Sequence, residues 1–283
     1  MTLSEIYRKY LQELRELYSQ NETAQITSIA FESIAGLHRS DVIKDPSMLI
    51  SIKILGELEQ ALMRLKQHEP IQHVTGKAWF CNLLFQVSPA VLVPRPETEE
   101  LVALASAFIK EKNLSVIDIG TGSGCIAITM KLKSENILVT ALDISKDALE
   151  IADENARHHK TKIDFKHIDF LEESLWPPVS KYDVIISNPP YIPENDKGLL
   201  DKNVSQFEPH AALFEPAGKP FLFYVKIAAF GKTHLLPGGK IFVEIHEDFG
   251  NDVLNIFENE GYEAVLTRDM FGKDRFVVAY RKA

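Results

Sequence analysis

The sequence predicts an α/β fold: a mostly parallel sheet covered by helices on both faces, preceded by a small helical domain. Three observations lead there. Apolar residues recur at three- and four-residue spacing up to about Lys66, the period of amphipathic helices. From Ser115 onward, short β-prone runs alternate with helical patterns, as in sheets built from crossover units. The chain has 283 residues and is 45% hydrophobic, enough for a full core in one large or two moderate domains.

The first helix is announced by a capping box, Thr2 with Glu5, and by the stripe Leu3, Ile6, Tyr7, Tyr10, Leu11, Leu14, Leu17 and Tyr18. A second helix is expected from Glu22 to about Ala35, stopped by Gly36, and a third from about Ser47 to Lys66, before Pro70. Residues 1–75 are thus expected to form a helical domain serving interaction, that is, substrate recognition. In residues 76–94 the pieces WFCNLLFQV and AVLVP, separated by Ser88-Pro89, suit a β-hairpin linker. Residues 95–283 make the second domain. Arg95-Pro96-Glu97-Thr98-Glu99 opens its first helix, to about Lys112. Strands are expected at Ser115 to Ile119, Ile137 to Leu142, Lys162 to Ile168, Tyr182 to Ser187 and Lys240 to Ile245. EAVLTRDMFGKDRFVVAYRK reads as two strands joined around Gly272, the last antiparallel.

With 31 basic and 40 acidic residues the formal charge is −9, which works against a long nucleic-acid footprint built from clustered Lys and Arg. Residues 1–75 carry eight basic and ten acidic side chains, so they are no basic arm, and no direct nucleic-acid binding is expected. The start does not resemble a secretory signal, and no run approaches the roughly 18 apolar residues of a membrane span. A cytoplasmic protein without membrane attachment is expected. Cys81 and Cys125 are too few for a disulfide framework or a cysteine-built zinc site, and His158, His159 and His210 have no metal-ligand arrangement, so no metal is expected.

In VIDIGTGSGCIAI an apolar strand containing Asp118 leads into Gly120, Thr121, Gly122, Ser123 and Gly124, and then into a helix. Glycines let a ligand lie against main chain, and the following helix offers free N–H groups. The Gly-x-Gly-x-Gly spacing is neither that of dinucleotide folds nor that of a P-loop. Asp143 ends the next strand, ILVTALD, where a carboxylate can accept from both hydroxyls of an adenosine ribose or else cap the following helix. After the third strand, Asp169 and Phe170 can face an adenine amino group and ring. The run VIISNPPY ends in Asn188, Pro189, Pro190 and Tyr191, readable as a strand terminator or as two outward acceptors, the Asn188 oxygen and the Pro189 carbonyl, for a planar N–H pair.

Together these segments resemble the seven-stranded class I S-adenosylmethionine-dependent methyltransferases, and SNPPY looks like their amide or amino nitrogen-methylating subset. The resemblance is closest to the release factor glutamine N5-methyltransferases and covers nearly the whole chain: VLVPRPETEELV, IDIGTGSGCIAI, ALDIS, ISNPPYIP, FEPHAALFEPAG and GKDRFVVAYR follow in that family's order. It implies S-adenosyl-L-methionine as cofactor, with S-adenosyl-L-homocysteine as product, and peptide chain release factors as partners. Gly120 to Gly124, Asp143, Phe170 and Asn188 would hold the cofactor; Asn188 to Tyr191 would hold the substrate amide, with Asn188, Pro189 and Tyr191 serving catalysis. One departure stands out. The family often has Glu-x-Gly-x-x-Gln-Gly after the fifth strand, whereas here Glu244 is followed by Ile245, His246, Glu247, Asp248, Phe249 and Gly250, so no role is carried onto Phe249. The competing readings are a ribosomal-protein glutamine methyltransferase, a nucleic-acid adenine N6 methyltransferase, and a cofactor-binding module without catalysis.

Overall fold

The computed structural model describes residues 1–109, 113–177 and 180–281. The chain divides into two compact units, one of Met1–Lys77 and Asp201–Phe207, the other of Ala78–Leu200 and Glu208–Ala283. In the first unit, helices Leu3–Leu14, Gln20–Ala35 and Ile52–Leu65 bury Leu3, Ile6, Tyr10, Leu14, Phe31, Leu58, Leu62 and Leu65 against one another. The Thr2–Glu5 capping box is present, and Gly36 ends the second helix in a left-handed turn. The third long helix starts at Ile52 rather than Ser47, capped by Ser51. Residues before it are spent on other pairings: the Leu3 amide donates to the Met48 carbonyl and the Ile50 amide to that of Met1. Two short helices, Arg39–Lys44 and Ile71–Thr75, are too brief to leave a period in the sequence.

A hairpin follows, β1 (Lys77–Phe80) and β2 (Leu83–Gln86). Its turn is Cys81-Asn82, with φ of 49° and 62°, the doubly left-handed turn that matches strand twist. The expected closure across Ser88-Pro89 is therefore corrected: the hairpin lies within WFCNLLFQV, and residues 90–94 form a loop.

The second unit is a seven-stranded sheet of β3 (Ser115–Ile119), β4 (Leu138–Asp143), β5 (Asp164–His167), β6 (Tyr182–Ser187), β7 (Leu235–Glu244), β8 (Tyr262–Arg268) and β9 (Asp274–Arg281). Their order is β5-β4-β3-β6-β7-β9-β8, with β9 antiparallel to both neighbours and the other pairs parallel. The expected helix end near Lys112 and the strand end at Lys282 lie outside the described residues.

Period-two alternation buries both faces. On β3, Val116 packs with Leu101, Val102, Ile126 and Ile128 from helices Pro96–Ile109 and Cys125–Lys133, whereas Ile117 packs with Tyr224, Ile227, Phe230, Val253 and Phe257 from helices Leu222–His234 and Gly250–Asn259. From β3 the chain moves outward through β4 and β5, then returns to β6 on β3's other side. The crevice at the carboxyl ends of β3 and β6 is thus the topological switch point, where α/β sheets bind ligands. Among the described residues no helix is long and apolar enough to cross a membrane.

Candidate active site

The loop after β3 is pinned to the end of β4. Gly120 and Thr121 both donate their amides to the Leu142 carbonyl at 2.9 Å, and Gly122 donates to Asp143 Oδ2 at 2.8 Å. Gly122 reaches that carboxylate with φ of 53°, and a Cβ there would meet nothing within 4 Å, so its outer side is open. Gly124 serves packing instead: at φ of 79°, a Cβ would come within 3.0 Å of Ile128 and 3.1 Å of Ala152. Below the loop, Asp118 is fully buried and accepts the Thr121 hydroxyl at 2.6 Å; burial pushes its carboxyl up to about 7.

Over this loop opens a cavity of about 490 Å³, lined by Gly120, Gly122, Asp143, Asp169, Phe170, Asn188, Pro189 and Pro190, with Ala90 to Leu92 and residues 209–212 and 214–217 on further walls. Those are the expected residues the structure brings together. Asp118, Thr121, Ser123 and Gly124 do not line it; they shape the loop from beneath. Tyr191 is also absent from its walls and borders a separate cavity of about 320 Å³ with His246 and Arg275.

Asp143 accepts the Gly122 amide on one oxygen and the Ser145 amide, at 2.9 Å, on the other, which leaves each oxygen a further lone pair. Burial raises its pKa, against those amide bonds. The helix Lys146–His158 is capped by the Ser145 side chain, so the capping alternative for Asp143 falls away. Phe170 is buried, stacked on Trp176 at 5.5 Å between ring centroids, and Asp169 Oδ1 accepts the Leu171 amide at 3.0 Å. An open glycine cradle, a carboxylate with spare lone pairs and walls of Leu142, Ile168 and Phe170 fit an adenosine bearing a charged side arm, and the volume suits a ligand of that size.

Sequence reasoning missed what stands behind Asn188. Its Nδ2 donates to Thr98 Oγ1 at 3.0 Å, Thr98 donates to Glu244 Oε2 at 2.7 Å, and the Tyr191 hydroxyl donates to Glu244 Oε1 at 3.2 Å. Glu244 is 1% exposed at the end of β7; burial pushes its carboxyl up to about 7, opposed by the Thr98 hydrogen bond and the Arg275 charge. A second hidden group is Glu208, its side chain 1% exposed: it accepts from Arg95 at 2.5 Å and from the Val93 amide at 3.2 Å. This ties the loop before helix Pro96–Ile109 to the segment entering the 209–217 wall. Among the described residues no group of three or more His, Cys, Asp or Glu is arranged for a metal ion.

The class of protein that this fold and cavity define is a methyltransferase. Residues 101–210 match the family model of the Methyltransferase small domain, and residues 5–76 that of the PrmC N-terminal domain. The chain is similar in fold to a Thermus thermophilus 16S rRNA N2 G1207 methyltransferase in complex with AdoMet and guanosine (TM-score 0.52, 15% identity, covering 73% of this chain and 50% of that one). It is likewise similar to a ribosomal protein L11 methylase from Lactobacillus delbrueckii subsp. bulgaricus (TM-score 0.50, 20% identity, 70% and 84% covered). Sequence likeness goes further. A release factor glutamine methyltransferase of Bacteroides thetaiotaomicron is 38% identical over 95% of this chain and 97% of its own, and those of Streptococcus pneumoniae and Lactococcus lactis are 36% and 40% identical over 98% and 80% of this chain, and over 98% and 82% of their own. The chain belongs to the release factor glutamine methyltransferase family.

Proposed function

We propose that this protein transfers a methyl group from S-adenosylmethionine to the side-chain amide nitrogen of the glutamine in the Gly-Gly-Gln motif of peptide chain release factors. The observation that carries the reading is Asn188-Pro189 at the cavity, across the switch point from the open glycine loop. Bound S-adenosylmethionine supplies the methyl group on a sulfonium sulfur. Gly120, Gly122 and Asp143 hold its nucleoside and side arm, with Asp169 and Phe170 toward the base. Each charge-assisted hydrogen bond to Asp143 is worth about 1.5–3 kcal/mol.

An amide nitrogen is a weak nucleophile because its lone pair is delocalised, so orientation has to supply much of the rate. The Asn188 side-chain oxygen and the Pro189 carbonyl accept the two N–H groups of the planar amide and turn its nitrogen toward the methyl. Pro190 fixes the backbone after that carbonyl and puts no backbone N–H of its own beside the amide. Holding partners in such an arrangement is worth on the order of 7–11 kcal/mol. Tyr191 anchors the end of this segment through its hydroxyl bond to Glu244.

Partner recognition falls in this reading to the helical residues 1–75, joined by residues 76–94 to the methyltransferase residues 95–283. Exposed Ile43, Leu49 and Ile52 support this, being 74%, 75% and 90% accessible. The setting is the cytoplasm, consistent with two unbridged cysteines. Incubation with S-adenosylmethionine and release factors, followed by mass spectrometry, tests the reading. A gain of one methylene mass on the Gly-Gly-Gln glutamine is expected; methylation of a ribosomal protein or of adenine instead would overturn it.

A further inference from the structure

Asn188 offers the cavity either its oxygen, an acceptor, or its NH₂, a donor, and the two differ by a half-turn of the amide. Only the oxygen suits a substrate N–H. Pocket shape decides poorly between them, because the two ends are nearly the same size. The choice is made outside the cavity. Above about pH 7, where its buried carboxyl is ionised, Glu244 can only accept; its two oxygens take the Thr98 and Tyr191 hydroxyls. Thr98 has one hydroxyl proton, already given to Glu244, so it can only accept from Asn188, and it does, from Nδ2 at 3.0 Å. With its NH₂ engaged there, Asn188 leaves its oxygen for the cavity.

We infer that Thr98 and Glu244 are positioning residues that fix the donor order of this chain, and so make the site accept a substrate amide N–H in preference to presenting one of its own. The inference rests on the reading of Asn188 as the amide's acceptor. It explains a carboxylate 1% exposed at the end of β7, whose hydrogen bonds would otherwise go to structure alone.

The test exploits polarity. In Asn188→Asp, two carboxylates compete for the one Thr98 proton. In Glu244→Gln, the carboxamide has a single acceptor for two hydroxyls. In the double variant the order reverses: the carboxamide introduced at position 244 donates to Thr98, and Thr98 donates to the carboxylate introduced at position 188. That carboxylate's other oxygen still accepts from substrate. Measured at pH 8 with release factor, each single change is expected to lower kcat/KM at least tenfold, while the double variant exceeds both singles at least fivefold. Thr98→Val is expected to lose at least tenfold and Thr98→Ser to recover most of that loss, with affinity for S-adenosylhomocysteine within about twofold throughout the Thr98 pair. A double variant no better than the weaker single, or Thr98→Val near wild-type activity, overturns the inference. Failure of the wild-type protein to modify release factor would overturn the functional reading instead. In that event the Asn188 side-chain amide resonances decide the donor order without substrate: one slowly exchanging proton is expected in wild type and lost in Thr98→Val, and identical resonances in the two would overturn it.

Discussion

The two Asp143 oxygens hold the Gly122 and Ser145 amides, so this one carboxylate ties the loop after β3 to the start of the helix Lys146–His158. Asp143→Ala is expected to weaken S-adenosylhomocysteine binding by about 1.5–3 kcal/mol, roughly 10- to 100-fold. Calorimetry on the folded variant checks this, and unchanged affinity would remove Asp143 from the site. Glu244 makes a different prediction because its carboxyl ionises near 7 when folded and near 4.5 otherwise. Between those values the folded chain holds the extra proton, so stability falls as pH rises, by on the order of 3 kcal/mol for this group. Thr98, Tyr191, Arg275 and Glu97 are the groups that act on it. Glu244→Gln is therefore expected to be more stable than wild type at pH 8 and not at pH 4.5, while less active. Urea unfolding at the two pH values decides it; Asp118, also near 7, leaves part of the slope in place. Asp143, Phe170 and Asn188 are legible in the sequence because each ends or follows a recognisable strand. Thr98 is not: it stands 90 positions from Asn188 and 146 from Glu244, and only the assembled sheet brings the three together.

At the scale of elements, the parallel strands are readable because apolar runs bounded by turn residues recur at regular spacing, and β3 and β6 match their expected ends. The hairpin turn departs from its expected place for a physical reason. Ser88-Pro89 is a strong breaker in isolation, whereas Cys81-Asn82 turns only because Asn and a strained Cys both accept positive φ. The loops flanking the cavity carry no period at all; they are tied to the rest of the unit by contacts between distant residues, among them the Arg95–Glu208 pair and the main-chain bonds of Ile192 with Leu213 and Glu215. Arg95→Ala strands a carboxylate whose side chain is 1% exposed. A cost of about 2–3 kcal/mol is expected, toward the low end for a broken buried pair because the Arg95 side chain is itself 33% exposed. It should appear as a lower urea midpoint together with weaker cofactor binding, since Ala90 to Leu92 and Pro209 line the cavity. Glu208→Gln, which keeps an acceptor for Val93, should cost less. An unshifted midpoint in Arg95→Ala would mean that the pair does not order these loops.

For the whole molecule, the glycine loop, Asp143 and SNPPY all belong to the unit built around the seven-stranded sheet, which has its own apolar clusters on the two faces of that sheet. Removal of residues 1–75 is expected to spare S-adenosylhomocysteine binding and to abolish methylation of intact release factor. If the truncated protein folds and modifies the factor at the normal rate, recognition lies elsewhere. The sheet order also has a consequence for assembly in time. β9 follows β8 in the chain yet sits between β8 and β7, so β8 has no partner until β9 has been laid down. While the chain is being made, β7 keeps a bare edge beside Phe242 and Val243, both buried in the finished protein. An unpaired hydrophobic edge of that kind is a template for mispairing between chains. The last described strand is therefore the seal of the sheet: losing it would leave two exposed edges and an aggregation-prone intermediate, even though every residue lining the cavity precedes it.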